Sequence, residues 1–371
     1  MTSDTKCAAP FFAAFSNNDG GFRDCCSTHP ATYSKPGESF VQWWTGDQMQ
    51  QFRHQFGKDK LPESCERCSI QEKVQGSSFR TSINKDIDLT NLQTNWPNRW
   101  NLIFGSKCNL GCWTCDENSS TTIEQHKRTI GILSKEFESP EFKFNRLWPK
   151  LEQDIIQSYN YHDTVTLTIL GGEPLYNRNV LEFLKALRQK GLAPRTRLEF
   201  HTNATKLGEN QVASILTPGT WQHVCMFLSL DAIGAKAEWL RYGTKWSLIE
   251  GHVSMFKKLA NYVEVHCVLS VLNIGDLVEL NHWCQTKNLP LRINTLSSPE
   301  YMALESWDSD SALLADYSNL DNLGYGEYYQ RIGQRAQVGS HAKLIHYIKQ
   351  FDNIRRPLSE FAPNFALNIG L

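Results

Sequence analysis

The chain has 371 residues, 40% hydrophobic and 21% charged, with Gly 23 and Pro 14. That is globular composition, sized for one large α/β domain with an accessory module, and it excludes a disulfide-stapled miniprotein, a fibrous chain or a disordered one. Lys+Arg 38 against Asp+Glu 39 leave a net charge of -1, so no global basic field draws the chain to nucleic acid or to a membrane surface, and neither is expected as a partner. No run of about 18 apolar residues occurs, and the first twenty residues lack the charged start and apolar core of a secretion signal, so the expected compartment is cytoplasmic. The eleven cysteines are odd in number and tightly grouped, which suits metal or cluster ligation in a reducing compartment better than a disulfide framework.

In chain order, the first group is Cys7, Cys25, Cys26, Cys65 and Cys68. Cys7 and Cys25 flank a predicted hairpin over 10–24, with Asn17-Asn18-Asp19-Gly20-Gly21 as the turn between aromatic-rich arms. A Trp-rich helical stretch follows over 40–56, then the knuckle Cys65-Glu66-Arg67-Cys68. Cys7, Cys25, Cys65 and Cys68 make a complete set of four soft ligands, with Cys26 in reserve. Four cysteines suit either an iron–sulfur cluster or a structural zinc ion. The polar stretch 72–98 reads as a linker wrapping into the main domain.

Beyond it, apolar β-rich runs are predicted as strands over 100–104, 165–170, 197–202, 224–230, 263–271 and 291–294. Amphipathic helices over 180–190, 248–259 and 277–286 separate most of them, the alternation of a parallel sheet. Right-handed crossovers curl such a sheet toward a barrel, and six strands fall short of the eight that close one. The expected fold class is α/β, an open partial (β/α)6 barrel with its site at the carboxyl ends of the strands. The expected domains are 1–75 as the cysteine-rich module, 76–99 as linker, 100–299 as the barrel and 300–371 as a helical carboxyl-terminal extension.

Directly after the first barrel strand stands Cys108-Asn109-Leu110-Gly111-Cys112-Trp113-Thr114-Cys115, three thiols on one loop. Three soft ligands suit an iron–sulfur cluster, and three rather than four leave one iron open to a further ligand. A zinc site would want a fourth protein ligand, for which His126 is the nearest histidine. Cys225, Cys267 and Cys284 fall in predicted strands or helices and read as buried small hydrophobes.

On this triplet the sequence resembles the radical S-adenosylmethionine (SAM) superfamily, and the resemblance runs over about 100–294. Gly171-Gly172-Glu173-Pro174 after the second barrel strand is similar to the family's glycine-rich segment, which binds the amino group of the SAM methionine. There glycines let backbone carbonyls approach an ammonium, and Glu173 adds charge or fixes the loop. Thr202-Asn203-Ala204 resembles the family's third-strand segment, with Ala204 where glycine is usual, so this loop is expected to take a positive φ less readily. Ser229 and Asp231 resemble the polar pair that reaches the ribose hydroxyls, and Arg241 an arginine that pairs with the SAM carboxylate. The residue before the third cysteine is commonly aromatic, but here it is Thr114, with Trp113 either serving the adenine from the other side of the loop or packing in the core. His201 is the one histidine near this expected site.

The first cysteine group resembles half of a SPASM or twitch module, which implies an auxiliary [4Fe-4S] cluster, here placed before the barrel. The resemblance implies a [4Fe-4S] cluster on Cys108, Cys112 and Cys115 that reductively cleaves SAM to a 5'-deoxyadenosyl radical, which abstracts a substrate hydrogen. It points to oxidation or cross-linking of a peptide or protein side chain, with flavodoxin or ferredoxin as electron donor. Modification of a small metabolite or nucleoside, or activation of a glycyl-radical partner, are the alternatives.

Overall fold

The structure is a computed structural model that describes residues 5–56, 60–85, 87–90, 92, 96–205, 210–307, 339–351, 353–361, 366 and 371. The strands are β1 Ala13–Ser16, β2 Phe22–Arg23, β3 Arg99–Ile103, β4 Gly111–Cys112, β5 Val165–Leu170, β6 Thr196–Thr202, β7 His223–Ser229, β8 Arg241–Tyr242, β9 Tyr262–Leu269 and β10 Leu291–Thr295. The helices begin with α1 Ala9–Phe12, α2 Phe40–Thr45, α3 Asp47–Arg53, α4 Glu66–Gln75, α5 Phe79–Asn84 and α6 Thr121–Thr129. They continue with α7 Pro140–Gln157, α8 Arg178–Gln189, α9 Asn210–Ile215, α10 Gly234–Leu240, α11 Trp246–Leu259, α12 Leu277–Thr286 and α13 Ser340–Gln350.

All six expected barrel strands form, within a residue or two of the bounds read from the sequence. They lie in the order β10-β9-β7-β6-β5-β3, each pair parallel. Each crossover therefore steps to the next position in one direction, the winding of a barrel rather than of a doubly wound sheet.

Alternation along the strands explains the layering. Leu198 and Phe200 of β6, Val224, Met226 and Leu228 of β7, and Val265 and Cys267 of β9 are buried in the main core. They share it with Phe144, Trp148, Leu151 and Ile155 of α7, Leu184 and Leu187 of α8, and Val253 and Phe256 of α11. The intervening residues Glu199, His201, Phe227, Ser229 and His266 point to the other sheet face and are half-buried. That polar face is stitched across strands by the Arg99–Glu199 ion pair, at 3.1 Å, and by Thr168 donating to Glu199 at 2.6 Å.

The amino-terminal segment departs from the expected layout. The hairpin turn forms where the Asn/Gly run places it, but the first arm begins as α1, and β1 then pairs in parallel with β3. The cysteine-rich segment thus extends the barrel sheet to eight strands, with β2 at the edge. Within 76–99, read as linker, α5 forms behind a capping box of Ser78 with Thr81, and Arg80 there makes a half-buried ion pair with Glu72 of α4. Helix α7 carries its apolar residues at helical spacing, but Pro149 inside it and its charged outer face hide it from a reading by pattern. In the carboxyl-terminal extension α13 is helical as expected, while 308–338 lies outside the described residues. Among the described residues no helix is long and apolar enough to cross a membrane.

Candidate cluster and cofactor site

The cysteine triplet sits on a loop anchored at both ends. As the chain leaves β3, Ser106 and Lys107 donate their N–H groups to Glu141 Oε2, both at 3.0 Å, from the first turn of α7. Cys108 N–H donates to Thr121 Oγ1 at 3.1 Å, and Ser120, the cap of α6, donates through its hydroxyl to the Leu110 carbonyl at 2.7 Å. Cys112 then pairs with Arg241 in the two-stranded β4–β8 ribbon. Cys115 N–H returns to the Cys112 carbonyl at 3.2 Å.

Electrostatics around the three thiols is uneven. Burial pushes the Cys108 thiol up to about 12, with Cys112 adding to the rise. Cys112 is held below the ordinary thiol value by the Cys115 hydrogen bond and then by the Arg241 and Arg355 guanidiniums, while Cys115 is raised as the other half of that pair. Two neutral or cationic donors approach the sulfurs: Asn203 Nδ2 lies 3.9 Å from Cys108 Sγ, and Arg241 Nη1 3.9 Å from Cys112 Sγ. Three soft ligands with hydrogen-bond donors at two of them fit a thiolate-held cluster. His126 is no fourth ligand to this set. Its Nδ1 faces Arg355 at 3.2 Å, and burial lowers it to about 4. Among the described residues no group of three or more His, Cys, Asp or Glu side chains is placed to hold a single metal ion.

The glycine-rich segment is pressed against this loop, which explains its composition. Gly171 has φ +92°, and a Cβ there would stand 2.7 Å from Phe104 N; at Gly172, φ +47°, it would overlap the Lys107 carbonyl. Glu173 N–H donates to that same carbonyl at 2.8 Å. The Glu173 side chain, fully buried, accepts from Leu175 N–H at 3.0 Å, Thr202 Oγ1 at 2.7 Å and Asn203 N–H at 2.6 Å. Burial raises its carboxyl to about 7 against those three donors. Of the two roles expected for Glu173, the geometry supports fixing the loop: one carboxyl joins the segments after β5 and β6. Buried Pro174 opens the turn Pro174–Tyr176 and keeps the chain close.

The segment after β6 locks onto the cysteine loop in turn. Asn203 Nδ2 donates to Asn109 Oδ1 at 3.1 Å, and Asn109 Nδ2 to Thr205 Oγ1 at 2.9 Å. Ala204 takes φ +60°, against the expectation that alanine would resist it. The Thr202 hydroxyl accepts the Ala204 N–H at 3.1 Å and His252 Nδ1 contacts the Ala204 carbonyl at 2.7 Å, two bonds that outweigh the modest strain.

Two residues expected at the ligand are engaged with each other. Asp231, 4% exposed, accepts from Val268 N–H at 2.8 Å through one oxygen and pairs with Arg241 Nε at 2.8 Å through the other. Its carboxylate therefore faces Arg241 rather than open space, and Arg241 faces Asp231 and Cys112. Ser229 ends β7 on the polar face, opposite His266 in the β7–β9 register. Trp113 is buried against Trp239, ring centroids 5.2 Å apart, and against Tyr347 and Phe351, so it is core. His201, on the polar face with His266 at 5.2 Å, is kept neutral by burial, which lowers it to about 3.

The amino-terminal cysteines come together. Cys7, Cys25, Cys65 and Cys68 line one cavity with Phe52 and Arg80, although they lie on α1's approach, the end of the hairpin, the turn Glu63–Cys65 and α4. Asp24 shapes the wall by accepting from Cys25 N–H at 2.8 Å, the Thr28 hydroxyl at 2.6 Å and Thr32 N–H at 3.2 Å. Burial, reinforced by Cys65 and Cys68, pushes Cys7 up to about 12; Cys65 rises to about 11. Cys26 is turned to Cys25 and Ser27 and does not line the cavity. Cys267 and Cys284 are buried core residues, as expected, and Cys225 is half-buried. Sequence reasoning missed Glu141, Asn109, Thr121 and Arg355, since each acts through a contact distant in the chain or through backbone that no motif marks.

Native anSMEcpe with bound AdoMet and Cp18Cys peptide aligns with 66% of this chain and 63% of its own, at 19% identity and a TM-score of 0.40. Streptococcus suis SuiB bound to S-adenosylmethionine aligns with 64% of this chain and 48% of its own, at 16% identity and a TM-score of 0.39. SuiB bound to precursor peptide SuiA aligns with 79% and 61%, at 14% identity and a TM-score of 0.39. The chain spans less than two thirds of the length of each of these. No curated protein matches the sequence. Residues 102–269, from within β3 to the end of β9, match the family model of the Radical SAM superfamily.

Proposed function

We propose that the protein is a radical SAM enzyme with two iron–sulfur clusters, acting on a peptide or protein side chain. Cys108, Cys112 and Cys115 hold the cluster that binds SAM, and Cys7, Cys25, Cys65 and Cys68 hold an auxiliary one in a twitch-like segment. The first cluster, when bound, supplies the electron that splits SAM into methionine and a 5'-deoxyadenosyl radical, drawn from a flavodoxin- or ferredoxin-like donor. The observation that carries the reading is the lock between loops. Glu173 joins the segments after β5 and β6, and Asn203 and Lys107 bind both to the cysteine loop. Gly171 and Gly172 hold backbone close enough to the cysteines to take the methionine end of SAM, and Ser229 stands at the ribose end. In this reading Asp231 positions Arg241, which offers charge at Cys112. The polar sheet face, with His201, Glu264 and His266, receives the substrate.

Four thiols lining one cavity supply the full set of soft ligands that a cubane takes at the amino-terminal site. A fully ligated cluster there suits oxidation, because removal of a hydrogen atom leaves a second electron to be accepted. Metal analysis tests the assignment: the anaerobically reconstituted chain is expected to bind about eight irons, as two cubanes require, and about four after Cys108, Cys112 and Cys115 are replaced by Ala. Zinc together with about four irons in the parent protein would refute the auxiliary cluster.

A further inference from the structure

A buried arginine of the carboxyl-terminal segment faces the cysteine loop without a carboxylate partner among the described residues. Arg355, just beyond α13, is 5% exposed, and its Nε and Nη1 have no hydrogen-bond partner. Its Nη2 meets only the neutral imidazole of His126, at 3.2 Å. The guanidinium carbon lies 4.3 Å from the ring centroids of Trp113 and Phe351 and 5.2 Å from that of Tyr242. Trp113 is the residue after Cys112, and Gly111 precedes it. A Cβ at Gly111 would stand 3.1 Å from Arg355 Nη2, so the loop leaves room for this approach.

A guanidinium withdrawn from water needs a counter-charge, and stacking on rings supplies only part of one. The acidic groups whose charge reaches Arg355 are Tyr347, Cys112 and Tyr242. Burial drives the Tyr347 phenol well above its ordinary value, which leaves it neutral. Cys112 becomes an anion whenever it ligates a metal centre. The second arginine at the loop differs: the charge of Arg241 is answered by Asp231 at 2.8 Å. Arg355 therefore contributes the uncompensated positive charge behind the cysteines.

We propose that Arg355 is the counter-charge of the cluster held by Cys108, Cys112 and Cys115, so that the carboxyl-terminal segment is part of the redox site. This rests on the function proposed above. Arg355 acts as a positioning and electrostatic residue: one electron from an external low-potential donor adds one negative charge to the thiolate-held cluster, and the guanidinium lowers the cost of that charge. The same contact fixes the loop to α13 through Trp113 and Phe351.

The test is a redox titration of the reconstituted full chain followed by electron paramagnetic resonance, in the parent protein, Arg355→Gln and Arg355→Lys. The signal of interest is the one lost when Cys108, Cys112 and Cys115 are replaced by Ala. Arg355→Gln is expected to shift its midpoint to a more negative potential with iron content unchanged, and Arg355→Lys to stay near the parent value. An unchanged midpoint in Arg355→Gln, or an equal shift in both variants, overturns the proposal. If Arg355→Gln fails to hold iron, retention by Arg355→Lys supports the charge role and its loss there overturns it. Failure of the underlying function shows differently, as a parent protein with no triplet-dependent signal, and the proposal then falls with it.

Discussion

Replacing Glu173 by Gln isolates the carboxyl that joins the loops. Its value rises from the ordinary 4.5 to about 7, with burial as the main cause. A folded-state value above the unfolded one means that the stabilisation is complete below pH 4.5 and lost as pH rises through about 7. At about 1.4 kcal/mol per tenfold change in proton affinity, the loss totals about 3 kcal/mol. Gln cannot titrate. It keeps one carbonyl oxygen for Leu175 and Thr202 but turns an amide toward Asn203 N–H, a pH-independent cost of about 1–3 kcal/mol. Urea unfolding of the metal-free parent and variant across about pH 4 to pH 8 measures the difference. The parent's advantage is expected to be largest in acid and to shrink by about 3 kcal/mol toward pH 8. Parallel profiles for the two proteins would refute the buried, proton-sharing role of Glu173.

Gly172→Ala places a methyl on the Lys107 carbonyl at a positive φ and is expected to weaken SAM binding at least tenfold, or about 1.4 kcal/mol, with iron retained; calorimetry with SAM reads the loss. Asp231→Ala strands the buried Arg241 guanidinium and is expected to cost about 3–5 kcal/mol of stability, most of it recovered in Asp231→Ala/Arg241→Met, as denaturant unfolding would show. Cys65→Ala/Cys68→Ala removes two walls of the amino-terminal cavity and is expected to halve the iron content while leaving SAM cleavage with a strong chemical reductant intact, provided the variant stays folded.

What the sequence revealed and what it hid divide by range. The barrel strands are legible because each is a local apolar run, and the parity of Leu198, Phe200 and Glu199 already assigns faces. The triplet and the glycine-rich segment are legible because their chemistry lies within a few consecutive residues. The parallel pairing of Ala13–Ser16 with β3 is not, since four small or apolar residues name no partner. Nor is the engagement of Asp231 with Arg241, because a motif records which residues are present and not which atoms they meet. Trp113 shows the same limit: only the docking of α13 from the far end of the chain makes it core. Arg355 carries no sequence signal at all, as its meaning arises from burial against the cysteine loop with no carboxylate partner among the described residues.

The central claim is that this cysteine loop, with its glycine-rich neighbour, cleaves SAM. The direct measurement is chromatographic detection of 5'-deoxyadenosine after anaerobic incubation of the reconstituted protein with SAM and dithionite, beside the variant in which Cys108, Cys112 and Cys115 are replaced by Ala. The account expects 5'-deoxyadenosine and methionine in equal amounts from the parent protein and none from the variant. No 5'-deoxyadenosine from an iron-loaded parent, or equal amounts from both proteins, would contradict it.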